Sequence, residues 1–142
     1  MFLPYKKATL LITSGPSHDP ERKHLFVIIT DPVKYLSNKQ VVLLCPICTI
    51  KPNQFYDPAC IIQPDEHSFI IKQSYVAYKY SRIESANKLT RGVALNTFQP
   101  KEPVSDALYK RICRGLETSR FTTTEILNFY YYYLNLPCST TP

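Results

Sequence analysis

Two dense apolar runs, Leu25 to Ile29 and Val41 to Ile47, restrict what this chain can fold into more than any other feature of it. Both are rich in β-branched residues, both are bracketed by turn-forming residues, and both are of strand rather than helix length. They predict a central, buried pair of strands. Polar groups are left at the rim of that pair: Arg22, Lys23 and His24 lead into the first run, and Thr49 follows the second. Side chains in such places are fixed by the core and still touch water, which is where small sheet proteins tend to carry their chemistry.

The remaining segments extend the sheet and then leave it. Residues 7–13 read as a first strand, and residues 14–21, with Gly, Pro, Asp and Ser, as a loop. Pro46 lies inside the second apolar run; lacking an N–H, it should face an unpaired position near the strand's end or on an edge, and the strand should fray there. A short strand at 59–62, another at 68–71 after the Gln63 to Glu66 turn, and an alternating strand over 74–83 complete the sheet. Residues 87–103 lack periodicity and include Pro100 and Pro103, so a loop is expected there. A helix over 104–118 follows, with Ser105 as N-cap and Val104, Leu108, Ile112 and Leu116 as one apolar stripe. Thr122 to Glu125 has the capping-box pattern of an extra C-terminal helix over 123–136, stopped by Pro137. Strands first and helices last argue for an α+β, mainly β, protein: a small antiparallel β-barrel with two C-terminal helices, not an alternating parallel sheet.

At 142 residues the chain is expected to be one domain, with the barrel over 7–90, a loop over 91–103 and the two helices behind it. Seventeen Lys and Arg against 11 Asp and Glu leave a net charge of +6, which suits a polyanionic partner such as RNA. Lys72, Lys79, Arg82 and Lys88 are interleaved with Tyr75, Tyr78 and Tyr80, and cations beside aromatic faces fit a single strand, whose bases stack while its phosphates pair with charge. The chain has no apolar run of the roughly 18 residues that span a bilayer. Residues 8–12 are too short a core for a signal peptide, so the expectation is a cytoplasmic protein with no membrane partner and five reduced cysteines.

With the strands laid out, the chain resembles the PemK/MazF family of toxin endoribonucleases over about residues 7–118. The first strand with Gly15-Pro16 and its polar loop is similar to that family's opening strand and glycine-proline loop. His24 to Asp31 resembles the segment that begins Arg-Pro and runs through an apolar strand, and Val42 to Thr49 the strand that ends in threonine or serine. Ile70 to Leu89 resembles the stretch in which a serine precedes the last barrel strand and an Arg-Thr-Ile-Asp element ends it. The resemblance implies an SH3-like barrel, a homodimer, and a cognate antitoxin whose acidic segment occupies the RNA groove. It also implies cleavage of single-stranded RNA with neither metal nor other cofactor. In that reaction the 2′-hydroxyl of the RNA is the nucleophile, so the protein must supply a base, an acid for the leaving 5′-oxygen and positive charge for the phosphorane.

Carried onto the matching positions, the resemblance implies His24, Arg22 and Thr49 as catalytic residues, with Lys23, Ser74, Lys79 and Arg82 in contact with RNA or supporting it. The chain departs from the family at His24, where the family has the arginine before its proline. Imidazole titrates near neutrality and can serve as base or acid. Arg22, two residues away in an extended chain, points to the same side and could hold the phosphate. Cys48 is the alternative for the place given to Thr49, and the acidic or second basic residue of some relatives has no match. A non-catalytic RNA- or protein-binding module on the same barrel is therefore the rival reading. Cys45 and Cys48 have a metal or redox spacing, but strand residues three apart point to opposite faces, so no metal site is expected. His67 is expected to make a structural hydrogen bond, and His18 to be a solvated loop residue.

Overall fold

The computed structural model describes residues 1–13 and 23–137. Its strands are β1 (Thr9–Thr13), β2 (Lys23–Ile28), β3 (Val33–Lys34), β4 (Gln40–Thr49), β5 (Ile61–Ile62), β6 (Ser74–Val76), β7 (Arg82–Ser85) and β8 (Gln99–Lys101). Three helices accompany them: α1 (Ala86–Ala94), α2 (Asp106–Thr118) and α3 (Thr124–Leu134). All strands join one antiparallel sheet in the order β5-β6-β4-β2-β1-β8, with β3 and β7 also paired to β4. The fold is α+β, mainly antiparallel sheet. Among the described residues β5 and β8 do not pair with each other, so the sheet is not closed into the expected barrel. Both outer strands are very short, and β8 carries Pro100, which has no N–H to extend a ladder.

Pro46 corrects a second expectation. It does not end or fray β4, which runs on to Thr49 with Pro46 buried in its middle. The Ala77 N–H donates to the Pro46 carbonyl at 2.9 Å, so the missing Pro46 N–H faces the same neighbour. That neighbour leaves the sheet there: β6 pairs with β4 up to Val76↔Ile47 and β7 resumes at Arg82↔Leu44, leaving Ala77 to Ser81 opposite Cys45 and Pro46. The expected continuous strand over 74–83 is thus split by a 3-10 turn, Tyr78–Tyr80. The detour sends Tyr78 fully into the core, where its hydroxyl donates to the Ile112 carbonyl of α2 at 2.6 Å. Gly115 makes room for it: a Cβ there would stand 2.9 Å from Tyr78 Cζ and closer still to its hydroxyl.

Two further segments differ from expectation. The stretch read as loop contains α1, capped by the Ser85 side chain accepting from the Lys88 N–H, and also β8, which pairs with β1. Residues 68–71 form no strand; the Ile70 N–H closes a turn onto the His67 carbonyl at 3.0 Å. In α2 the Ser105 hydroxyl accepts from the Leu108 N–H at 3.1 Å, and Val104, Leu108, Ile112 and Leu116 are buried. In α3 the cap is Thr123 rather than Thr122, whose hydroxyl donates instead to the Leu116 carbonyl.

Strand alternation gives the sheet two apolar faces. Leu11, Leu25, Val27, Leu43 and Ile47 project to the first, packed with Leu108, Ile112 and Leu116 of α2 and Ile126 and Phe129 of α3. Leu10, Ile12, Phe26, Ile28 and Leu44 project to the second, packed with Ala86 and Leu89 of α1. Among the described residues no helix is long and apolar enough to cross a membrane.

Candidate nucleic-acid interface

A cavity of about 610 Å³ opens where β2 begins and β4 ends. Lys23, His24, Thr49, Lys51, Lys72 and Ser74 supply its polar wall, and Leu25, Ile47, Phe69, Ile70 and Ile71 its apolar one. Among the described residues no carboxylate side chain lines it. An anion entering here meets ammonium groups and hydroxyls over an apolar floor, the combination that single-stranded nucleic acid uses for phosphate and base.

Local register decides which groups meet. Leu25 pairs with Ile47, so the next position outward brings Lys23 beside Thr49 on the first face. Thr49 in turn pairs with Ser74 of β6, and the buried Ser74 hydroxyl donates to the Lys72 carbonyl at 2.8 Å. Lys23, Thr49 and Ser74 are therefore assembled by adjacent strands. His24 borders the same cavity, but its side chain alternates to the second face, paired with Ile12 and one position beyond Phe26 on that side. Cys48, the alternative to Thr49, belongs to that second face as well.

The other residues singled out from the sequence lie elsewhere. Arg22 and His18 fall outside the described residues. Lys79 is exposed on the 3-10 turn, its ammonium 5.7 Å from the Tyr80 ring centroid. Arg82 sits on β7 opposite Leu44, with its guanidinium 4.7 Å from the Phe26 ring centroid on the second face. Neither lines the cavity. Lys51 and Phe69 were missed by the sequence reading, and Lys72 was named there only among the cations suited to a single strand, not as a site residue. The two lysines had a signal: each is two positions from Thr49 or Ser74.

The turn that carries Phe69 is pinned from below. His67 is 4 % exposed; its Nδ1 accepts from the Phe69 N–H at 3.0 Å, so the proton resides on Nε2, which donates to the Glu102 carbonyl at 2.7 Å. The Ser68 N–H donates to Glu102 Oε1 at 2.8 Å, and hydrogen bonding from Ser68 lowers the Glu102 carboxyl from its ordinary value. One wall of the cavity is thereby fastened to the end of β8.

Cys45 and Cys48 point to opposite faces, and burial pushes the Cys45 thiol up to about 12, which leaves it protonated and inert. Among the described residues no three His, Cys, Asp or Glu side chains gather as a metal site would require. A second cavity, of about 520 Å³, lies at the opposite end of β4, between Lys39, Gln40 and the Lys88, Arg91 and Leu95 side of α1. No protein-family model matches the chain, and no curated protein matches it.

Proposed function

We propose that this protein binds single-stranded RNA in the cavity at the Thr49 end of the sheet and cleaves it there as a PemK/MazF-like toxin. The observation that carries the reading is the convergence of Lys23, Thr49 and Ser74 from three neighbouring strands, with Lys51 and Lys72 added around an apolar floor and no carboxylate among the described lining residues. Lys23 and the Thr49 hydroxyl hold the scissile phosphate. The RNA 2′-oxygen attacks the phosphorus, giving up its proton to a base, and the P–O5′ bond breaks as the leaving oxygen takes a proton from an acid. The products are a 2′,3′-cyclic phosphate and a free 5′-hydroxyl. His24 is the group assigned to proton transfer, with Arg22 for phosphate charge. Because its ring and Thr49 are on opposite faces, the RNA passes over the end of β2, where Lys23 and His24 are consecutive.

An SH3-like arrangement, open rather than closed, is part of the same reading; the ten-residue β4, bridging antiparallel partners on both of its edges, supports it. So are a cytoplasmic homodimer and a cognate antitoxin whose acidic segment fills the cavity. The positive lining of the cavity is what such a segment would meet.

A second reading, an RNA-binding module without cleavage, is favoured by one observation: strand alternation separates His24 from Thr49. Purified protein incubated with a long single-stranded RNA in excess chelator separates the two. Discrete fragments ending in cyclic phosphate establish the nuclease. Retarded but intact RNA establishes the binder, and RNA that neither shifts nor fragments eliminates both.

A further inference from the structure

The geometry points to Phe69 as the base-stacking platform of this cavity, the place where an unpaired RNA base lies flat while its flanking phosphate meets Lys101. The inference rests on the RNA reading above and adds the subsite that holds a base. Phe69 lines the cavity and is 41 % exposed, and Ile71 beside it is 80 % exposed, so the cavity offers an aromatic and an aliphatic surface together. The Lys101 ammonium stands over the Phe69 ring, 5.8 Å from its centroid, so a cation is held beside the aromatic platform, within reach of a phosphate that flanks a base stacked there.

The backbone that carries the exposed ring is held rather than loose. Its own backbone N–H is spent on His67 Nδ1, His67 Nε2 is anchored on the Glu102 carbonyl, and Ser68 is anchored on the Glu102 carboxylate. A buried histidine thus fixes the backbone of an aromatic side chain that itself contributes little to the core. A turn ordered before its ligand arrives loses less freedom on binding, which favours stacking on the ring it carries. His67 is on this account a positioning residue, acting on RNA only through Phe69.

The test uses the full chain and a fluorescently labelled single-stranded RNA of about 12 nucleotides, beside an abasic ribose-phosphate strand of equal length. Phe69→Ala is expected to weaken binding of the base-bearing strand by about 5- to 150-fold, the range of one base-aromatic stack. Binding of the abasic strand and the salt dependence should not change. The chain has no tryptophan, so Phe69→Trp gives a single reporter that should retain affinity and be quenched on saturation with RNA. Equal affinity of Phe69→Ala and the unaltered protein for RNA, with Lys23→Ala weakened, overturns the platform and leaves the RNA reading standing. Unquenched Phe69→Trp at saturation overturns it too. Failure of the unaltered protein to bind RNA overturns both.

Discussion

The two faces of the sheet are built from the same strands and carry different things. The first is roofed by α2 and α3, and its polar groups are tied across elements: Tyr78 to Ile112, Ser119 to Asp57 at 2.5 Å, and Arg111 to Glu66 and to the Ile61 carbonyl. The second is covered by the shorter α1 and a smaller apolar cluster. Each face has a cationic cavity near it, at opposite ends of the ten-residue β4. The lesson concerns the candidate site itself. One residue of alternation at the end of β2 sends Lys23 to the face of Thr49 and His24 to the face of Cys48 and Arg82.

The largest effect that could break this comparison is on cleavage. His24→Ala is expected to leave the fold intact and to lower RNA cleavage by about 10²- to 10⁴-fold, the usual contribution of a proton-transfer group, relieving growth arrest in cells that express it. Thr49→Val is expected to lower cleavage while His24 is untouched. If only Thr49→Val matters, in a quantitative gel assay of both variants, the first face carries the chemistry alone and the assignment of His24 is lost.

Binding gives the next largest contrast. Replacing Lys23, Lys51 and Lys72 together by alanine is expected to weaken RNA binding by about ten- to a hundredfold, and to reduce the slope of log K against log salt by about 2, because three phosphate contacts go. The matched set at the other cavity, Lys39, Lys88 and Arg91 to alanine, should leave both quantities unchanged. Titrations of each triple variant at three salt concentrations decide it; the reverse pattern would move the RNA to the α1 side.

How much of this could be read from residues alone follows from range. The Ser105 cap and the stripe of Val104, Leu108, Ile112 and Leu116 are local, and α2 forms where they indicate. The stripe of α1, Ala86, Leu89 and Val93, is as regular but short, interrupted by Gly92 and surrounded by polar residues, so it passed for loop. Ser68 to Ile71 is an apolar run, yet its backbone bonds to His67 and Glu102 rather than to a strand, and no periodicity distinguishes those cases. Pro46 was legible as a missing donor but not as an interior one. That Lys23 and His24 face opposite ways follows from alternation. That Thr49 joins Lys23 does not, because it depends on the Leu25↔Ile47 register, a contact between distant segments.

The smallest contrast is in stability, and the two helical glycines isolate it. Alanine in either helix gains up to about 1 kcal/mol of helix propensity over glycine, so a net loss reports the contact alone. At Gly115 the added methyl meets the Tyr78 ring and hydroxyl and stands 3.1 Å from Cys60 Cβ; Tyr78 is wholly enclosed and bonded to Ile112, so it has nowhere to go. At Gly92 the atoms nearest the methyl all belong to the ring of Phe98, with Cγ at 2.9 Å, and that ring is half-buried beside the second cavity and can swing outward. Gly115→Ala is therefore expected to cost about 1–3 kcal/mol, as overpacking does, and Gly92→Ala to stay within about 1 kcal/mol of the unaltered protein. Urea unfolding of the two variants measures the difference as a shift in midpoint at unchanged slope. Equal losses would mean that the α1 face is packed as tightly as the α2 face, and that the half-buried ring of Phe98 is held as firmly as the buried one of Tyr78.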